Sequence, residues 1–295
     1  MENTLKKYWP LYLLSIVIAF VLRDYSKITD SDVITWMLTP TVWWVSFLSG
    51  IPFKYLPHQG YLSSIIFESF PRQGDISCPY RFLVAPSCAG IRFLMILFVM
   101  LVFSFLHRIE RRKRGYLWFG FCFVFSYFAT ILVNSVRIIA SIYLPQLLGK
   151  SGITWMTDDR LHTLIGTGVY FSSLCLLHLL AAAVCRRFFT AAPEKQTSDA
   201  EQTSFVPVFW YLLIVLVLPF GKRILTNEWE GFGEYALLIL CSCFVICTLL
   251  YAAARLRRRR AHKQSCDAGW ICCAQVSASL HTLITRSNAS KEADR

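Results

Sequence analysis

The sequence has few charged residues and no long polar stretch. Lys, Arg, Asp and Glu make up only 16% of the 295 residues, whereas 55% are hydrophobic and the mean hydropathy is +0.48. No segment is polar enough to form a large soluble domain, and no repeat of roughly 20–50 residues is visible. These absences exclude a soluble enzyme and a repeat protein, and they predict a polytopic membrane protein.

A cleavable signal peptide is also lacking at the N-terminus. The run KKYWPLYLLSIVIAFVL is not followed by the small residues that mark a signal peptidase site. We therefore expect this run to stay in the membrane as a signal anchor.

Cysteine is plentiful, but its distribution argues against a disulfide framework and against a zinc site. Five of the 11 cysteines lie inside apolar runs, where the thiol packs as a small hydrophobic group: Cys122, Cys175, Cys241, Cys243 and Cys247. Three more, Cys266, Cys272 and Cys273, have an irregular spacing that is poor for zinc. The sequence therefore predicts no metal and no cofactor.

Six apolar runs are long enough to cross a bilayer core of about 30 Å as helices. They cover about residues 8–23, 90–107, 116–137, 163–185, 205–221 and 233–254. A seventh run, 33–49, is interrupted by Pro40 and contains three tryptophans, so we expect an interfacial or re-entrant helix there. The predicted fold class is an all-α polytopic membrane bundle of about six spanning helices, this additional helix and a small extracytoplasmic strand hairpin within 50–86.

Short basic clusters beside the apolar runs account for much of the net charge of +12. They are Lys6 with Lys7, Arg108 with 111–114, Arg186 with Arg187, and Arg255 with 257–260. Because they flank apolar runs rather than exposed aromatics, they argue against nucleic acid as a partner and for a surrounding membrane lipid. The positive-inside rule places all four in the cytoplasm, so 134–162 and 222–232 face outside. The rival arrangement, an outside N-terminus with two true crossings before residue 50, stays open.

Three polar residues are predicted to lie at one depth near the outer interface. Cys88, Arg137 and His162 are 20, 21 and 24 residues from the cytoplasmic ends of their helices. At about 1.5 Å per residue, each lies some 30–36 Å from that end. A thiol, a guanidinium and an imidazole at one depth are able to form a nucleophilic site, in which the histidine would move protons and the arginine would stabilise negative charge.

Each of these residues also has a structural interpretation, as a small packing residue, a snorkelling cation or a solvated helix cap. Arg137 is the least ordinary, because LVNSVRIIA places Asn134, Ser135 and Arg137 inside an apolar helix, where ionisable groups usually have a partner. Asn134 is a supporting candidate. Arg92, four residues after Cys88, is the second one.

Three stretches, in this order, resemble the exosortase and archaeosortase family. They are APSCAGIRFL at 85–94, NSVRI at 134–138 and RLHTLIG at 160–166. RFLVAPSCAG and the following MLVFSFLHRI are most similar to the exosortase K subgroup. The resemblance covers roughly 8–185.

The resemblance implies that Cys88 is the nucleophile, Arg137 its cationic partner and His162 the general acid and base. It also implies a membrane cysteine peptidase or transpeptidase that cuts a C-terminal sorting tail from exported proteins. Such a tail consists of a short motif, a transmembrane helix and a basic end. The implied location is the bacterial inner (plasma) membrane, as a multi-pass protein with its active site facing the periplasm.

On this interpretation the chain has four parts. Residues 1–187 form the membrane catalytic domain, 188–204 a cytoplasmic linker, 205–260 a C-terminal helix pair with a basic end, and 261–295 an unassigned tail.

The competing hypothesis is a non-enzymatic transporter or envelope assembly subunit in which Arg137 binds lipid phosphate. A transporter would place polar residues along a midplane pathway, whereas the apolar runs here carry almost no charge. Membrane acyl transfer onto cysteine is disfavoured because no Cys/His-rich zinc segment is present.

Overall fold

The computed structural model divides the chain into two compact units, Met1–Cys243 and Phe244–Arg295. The residues that the structure describes are 2–25, 35–57, 65–69, 81–84, 89–149, 157–189, 205–227, 229, 231–253 and 255–256. The site discussed below belongs to the first unit.

Helices dominate the described residues. They are α1 Glu2–Tyr25, α2 Thr35–Ser49, α3 Ile91–Arg108, α4 Arg112–Gly149, α5 Asp158–Phe188, α6 Phe205–Thr226 and α7 Phe232–Ala253; the last three residues of α3 form a 3-10 turn. Within the described part of the chain, five helices, α3 to α7, are long and apolar enough to cross a membrane. The predicted all-α polytopic membrane bundle is confirmed.

Helix α1 packs antiparallel to α3. Near its start, the Tyr8 hydroxyl donates a hydrogen bond of 2.9 Å to the carbonyl of Ile109, just beyond α3. Near its end, Leu22 packs against a buried cluster that contains Leu94 and Ile131. Charged residues at both ends shorten the apolar stretch of α1, which is not among the five helices above, so its predicted crossing at 8–23 stays a prediction.

Helix α2 is too short to cross the membrane and lies against the second half of α4. Tyr127 donates to the Trp36 carbonyl at 3.0 Å and Ser135 to the Thr41 carbonyl at 3.2 Å, so the two helices run parallel. The 15 residues of α2 span about 22 Å, less than a bilayer core of about 30 Å. This geometry agrees with a re-entrant or interfacial helix.

The expectation that Pro40 interrupts this helix was wrong, because Pro40 lies inside a continuous α2. A proline leaves the carbonyl four residues earlier without its helical donor, and here that carbonyl belongs to Trp36. The Tyr127 hydroxyl supplies the missing hydrogen bond. Packing of Met37, Leu38 and neighbouring side chains in the core further holds the helix together.

A small antiparallel sheet lies between α2 and α3 in the sequence. Its strands, in order, are β1 Phe53–Pro57, β2 Ile65–Ser69 and β3 Arg81–Val84. The register pairs Ile66 with both Leu56 and Leu83. The predicted hairpin corresponds to β2 and β3, and β1 adds a third strand directly after α2.

Three of the four basic clusters lie at one end of the helices, which we call the basic end. Lys7 donates to the carbonyl of Glu110 in the α3–α4 connection. Trp118, near the start of α4, packs edge to face on Phe189 after α5, with ring centroids 5.0 Å apart. The basic residues that begin α1, precede and begin α4, and end α5 therefore share this end, as the positive-inside pattern predicts.

The opposite end of the bundle brings together the starts of α5 and α7. Arg160 forms an ion pair with Glu234, with Nε and Oε1 2.6 Å apart. Residues 160 and 234 therefore lie at the same end, consistent with the prediction that 134–162 and 222–232 share a side.

Candidate active site

Two polar side chains lie one turn apart on the same face of α4. Asn134 is completely buried and Arg137 is only 6% exposed. Their spacing of three residues places both toward α3 and α5 rather than toward lipid. A permanently charged guanidinium in such a position is costly, so its neighbours decide what it does.

Arg137 reaches His162 at the start of α5. The distance between Arg137 Nη2 and His162 Nε2 is 2.8 Å, and His162 is otherwise exposed. Since a guanidinium can only donate, the imidazole nitrogen in this contact accepts and carries no proton. His162 is thus neutral in this arrangement, with its proton on Nδ1.

Tyr170, which the sequence analysis did not single out, contacts both residues of α4. Its hydroxyl donates to Asn134 Oδ1 at 2.9 Å and accepts from Arg137 Nη1 at 3.3 Å. The guanidinium carbon also lies 5.1 Å from the centroid of the Tyr170 ring. Phe93 on α3 also packs here, because its ring stacks on the Tyr170 ring with centroids 5.0 Å apart.

The Arg137 guanidinium passes close to a glycine on α5. A Cβ added to Gly166 would lie 3.5 Å from Arg137 Nε, so the guanidinium passes directly over this position. His162, Gly166 and Tyr170 recur every four residues and therefore share one face of α5. This spacing is the signal in the sequence that would have identified Tyr170.

A second glycine fixes the start of α3 against Asn134. Gly90 has a φ of +86°, which residues other than glycine rarely adopt. A Cβ there would also lie 3.0 Å from Thr130 Cγ2 and 3.1 Å from Asn134 Cγ. Gly90 is therefore required both for the turn into the helix and for the close approach of α3 to α4.

The model of the transmembrane exosortase family matches residues 3–179. This region contains Arg137, His162, Tyr170 and the start of α3. The chain belongs to the transmembrane exosortase family. No curated protein and no solved structure matches it. Membership supports a membrane transpeptidase or protease function in general.

The structure of this exosortase brings together some, but not all, of the predicted site residues. Arg137, His162 and Asn134 are brought together, whereas Cys88 lies outside the described residues, two positions before Gly90. Ser135 contacts the carbonyls of Ile131 and Thr41 and thus holds α2 rather than the site.

Arg92, the other predicted supporting residue, lies on the exposed side of α3. Its charge interacts with Tyr235 at the start of α7. Among the described residues no hydrogen bond joins Arg92 to Asn134, Tyr170 or His162.

The described part of this exosortase therefore contains a buried cation that contacts an imidazole, and an amide that is connected to the cation through the Tyr170 hydroxyl. Such a set stabilises negative charge and exchanges a proton beside it. Within the same described residues, no group of three His, Cys, Asp or Glu is placed to hold a metal ion.

Proposed function

We propose that this exosortase is a cysteine peptidase or transpeptidase, closest to exosortase K, that removes the C-terminal sorting tail of exported proteins. Cys88 is the nucleophile, Arg137 the cation that stabilises negative charge, and His162 the general acid and base. The observation that carries this proposal is the contact between buried Arg137 and His162, beside an Asn134 that packs against Gly90.

The first step is formation of the Cys88 thiolate. The thiol proton passes to His162 Nε2, which makes the imidazole a cation and ends its role as acceptor for Arg137. The Arg137 N–H group then becomes available to the new anion. The start of α3 adds the positive end of a helix dipole, which also favours a thiolate.

The thiolate next attacks the scissile carbonyl of the substrate, and the electron pair moves onto the oxygen. Arg137 stabilises that oxyanion, and collapse of the intermediate expels the tail as an amine that takes its proton from His162. The exported protein is left as a thioester on Cys88. An acceptor amine or water then attacks the thioester and gives a proton to His162, the C–S bond breaks, and the departing Cys88 thiolate takes that proton back from His162.

The basic clusters suit this substrate. With the basic end in the cytoplasm, the site at the opposite end faces the periplasm. A tail helix that lies beside the bundle with its own basic end in the cytoplasm presents the preceding motif at the depth of Arg137 and His162. The protein is accordingly proposed to act in the bacterial inner membrane.

Cys88→Ser tests the proposal, with Cys175→Ser as the matched control in an apolar part of α5. The assay follows cleavage of a co-expressed exported protein that ends in a short motif, an apolar helix and a basic cluster. We expect Cys88→Ser to lose activity by on the order of 10³-fold or more, with the variant still inserted in the membrane. Cys175→Ser should cleave normally; normal cleavage by Cys88→Ser would refute the nucleophile.

A further inference from the structure

We propose that Tyr170 is a positioning residue that holds Arg137 and Asn134 in their working orientation. The inference rests on the proposed function, because it concerns how the cation and the amide are presented to the anion at Cys88. Its basis is a hydroxyl shared by both residues together with two ring contacts.

The Tyr170 hydroxyl has a single proton, so it can donate only one hydrogen bond at a time. That proton goes to Asn134 Oδ1 at 2.9 Å, so the oxygen is left as the acceptor for Arg137 Nη1 at 3.3 Å. Because the guanidinium only donates, these roles cannot be exchanged while both hydrogen bonds persist. One hydroxyl therefore fixes two neighbouring side chains of α4.

Arg137 needs such support because its side chain is long and flexible. Arginine loses much rotamer entropy when it is held in one geometry. The Tyr170 ring offers its face to the guanidinium at 5.1 Å, which adds a cation–π attraction to the hydrogen bond. The ring and hydroxyl together thus hold the cation from one side while His162 holds it from another.

Asn134 gains a defined orientation from the same contact. With Oδ1 engaged by Tyr170, the amide nitrogen must point elsewhere, and Asn134 Nδ2 is a buried donor with no hydrogen-bond partner within the described residues. A buried donor without an acceptor has lost its hydrogen bond to water and gained nothing in return, which destabilises the folded protein. The cost is offset if the donor serves a negative charge that forms beside Gly90 during the reaction.

Tyr170 also connects these residues to the helix that follows Cys88. Phe93 is almost fully buried in the first turn of α3 and stacks on the Tyr170 ring at 5.0 Å. The ring therefore touches α3 while its hydroxyl touches α4. A change at Tyr170 should consequently affect the environment of the Cys88 thiol, although Tyr170 itself is not proposed to touch the substrate.

Alkylation of Cys88 by iodoacetamide tests the inference without any substrate. The full-length protein in membranes is treated over a range of pH, and modification of the peptide with Cys88 is measured by mass spectrometry. Arg137→Ala should move the midpoint of this profile up by about one pH unit or more, since an opposite charge favours the thiolate by that amount. Tyr170→Phe should move it in the same direction by a smaller amount.

Tyr127→Phe is the matched control, because it removes a partly buried hydroxyl that binds the Trp36 carbonyl outside the site. Its profile should match the parent. A parental profile for Tyr170→Phe, beside a shifted Arg137→Ala, would overturn the positioning role and leave the proposed function intact. A parental profile for Arg137→Ala would count against the proposed function itself.

Cleavage kinetics give a second readout that a merely structural role would not reproduce. We expect Tyr170→Phe to lower kcat by roughly ten- to a hundredfold, the scale of a displaced catalytic group, with KM changed by less than about twofold. A rise in KM with unchanged kcat would place Tyr170 in substrate binding and contradict the inference.

Discussion

Arg137 shows how far single residues can be interpreted from sequence. An arginine inside an apolar helix must have a partner, which the sequence indicated, but the partners lie on other helices. His162 was found because its depth could be counted along α5. Tyr170 was missed because an aromatic residue in an apolar helix is usually a packing residue, although its four-residue spacing from Gly166 and His162 places all three on one face of α5.

The two cations near the start of α3 differ in how strongly they are held. We expect Arg137→Lys to lose nearly as much activity as Arg137→Ala, although lysine keeps the charge. Lysine is a point charge and cannot bind His162 Nε2 and the Tyr170 hydroxyl at once with the planar fork of arginine. Tail cleavage in membranes that contain equal amounts of each variant measures the difference.

Arg92→Ala is the control for this comparison. Arg92 is exposed, and its flexible side chain can reach lipid headgroups, so most activity should remain. An inactive Arg92→Ala together with an active Arg137→Ala would reverse the assignment of the two arginines.

Among the elements, the spanning helices were the most predictable, because length and apolar composition alone define them. The continuity of α2 through Pro40 was not predictable, since the hydroxyl that replaces the lost helical donor comes from Tyr127, far along the chain. The third strand was missed for a related reason: FKYLP has no strong alternation, and its pairing with β2 is a property of the folded sheet.

The direction of the helices gives a test of topology. With the basic end in the cytoplasm, residues 50–88 and 138–162 should lie outside and 108–115 and 188–203 inside. We expect Ser63→Cys, but not Ser198→Cys, to react with a membrane-impermeant thiol reagent in intact cells, above the signal of the native cysteines. Labelling of Ser198→Cys alone would invert the orientation.

At the scale of the whole molecule, the family match covers only part of the helical bundle. The match covers residues 3–179 and stops within α5, so α6 and α7 lie beyond it. Both helices nevertheless approach the site region, because Tyr211 packs on Phe171 with ring centroids 5.2 Å apart and Glu234 pairs with Arg160. Helix α6 and the start of α7, which pack beside α5, therefore lie outside the region that matches the family.

The predicted division at 187 came from the linker composition and the resemblance alone. In the structure, residues up to Cys243 belong to one compact unit. Packing between helices that are distant in sequence decides such a unit, and no local pattern in the sequence reports it. The boundaries of the proposed catalytic domain stay a prediction.

The central claim is that Cys88 forms a covalent bond with the exported protein, and trapping that intermediate tests it most directly. Membranes with enzyme and substrate are quenched in acid and digested, and the peptide that contains Cys88 is examined by mass spectrometry. The account predicts that the cleaved end of the exported protein is attached there as a thioester, that hydroxylamine releases it, and that Cys88→Ala abolishes it. Attachment at a different residue, or an adduct that persists in Cys88→Ala, would contradict the account.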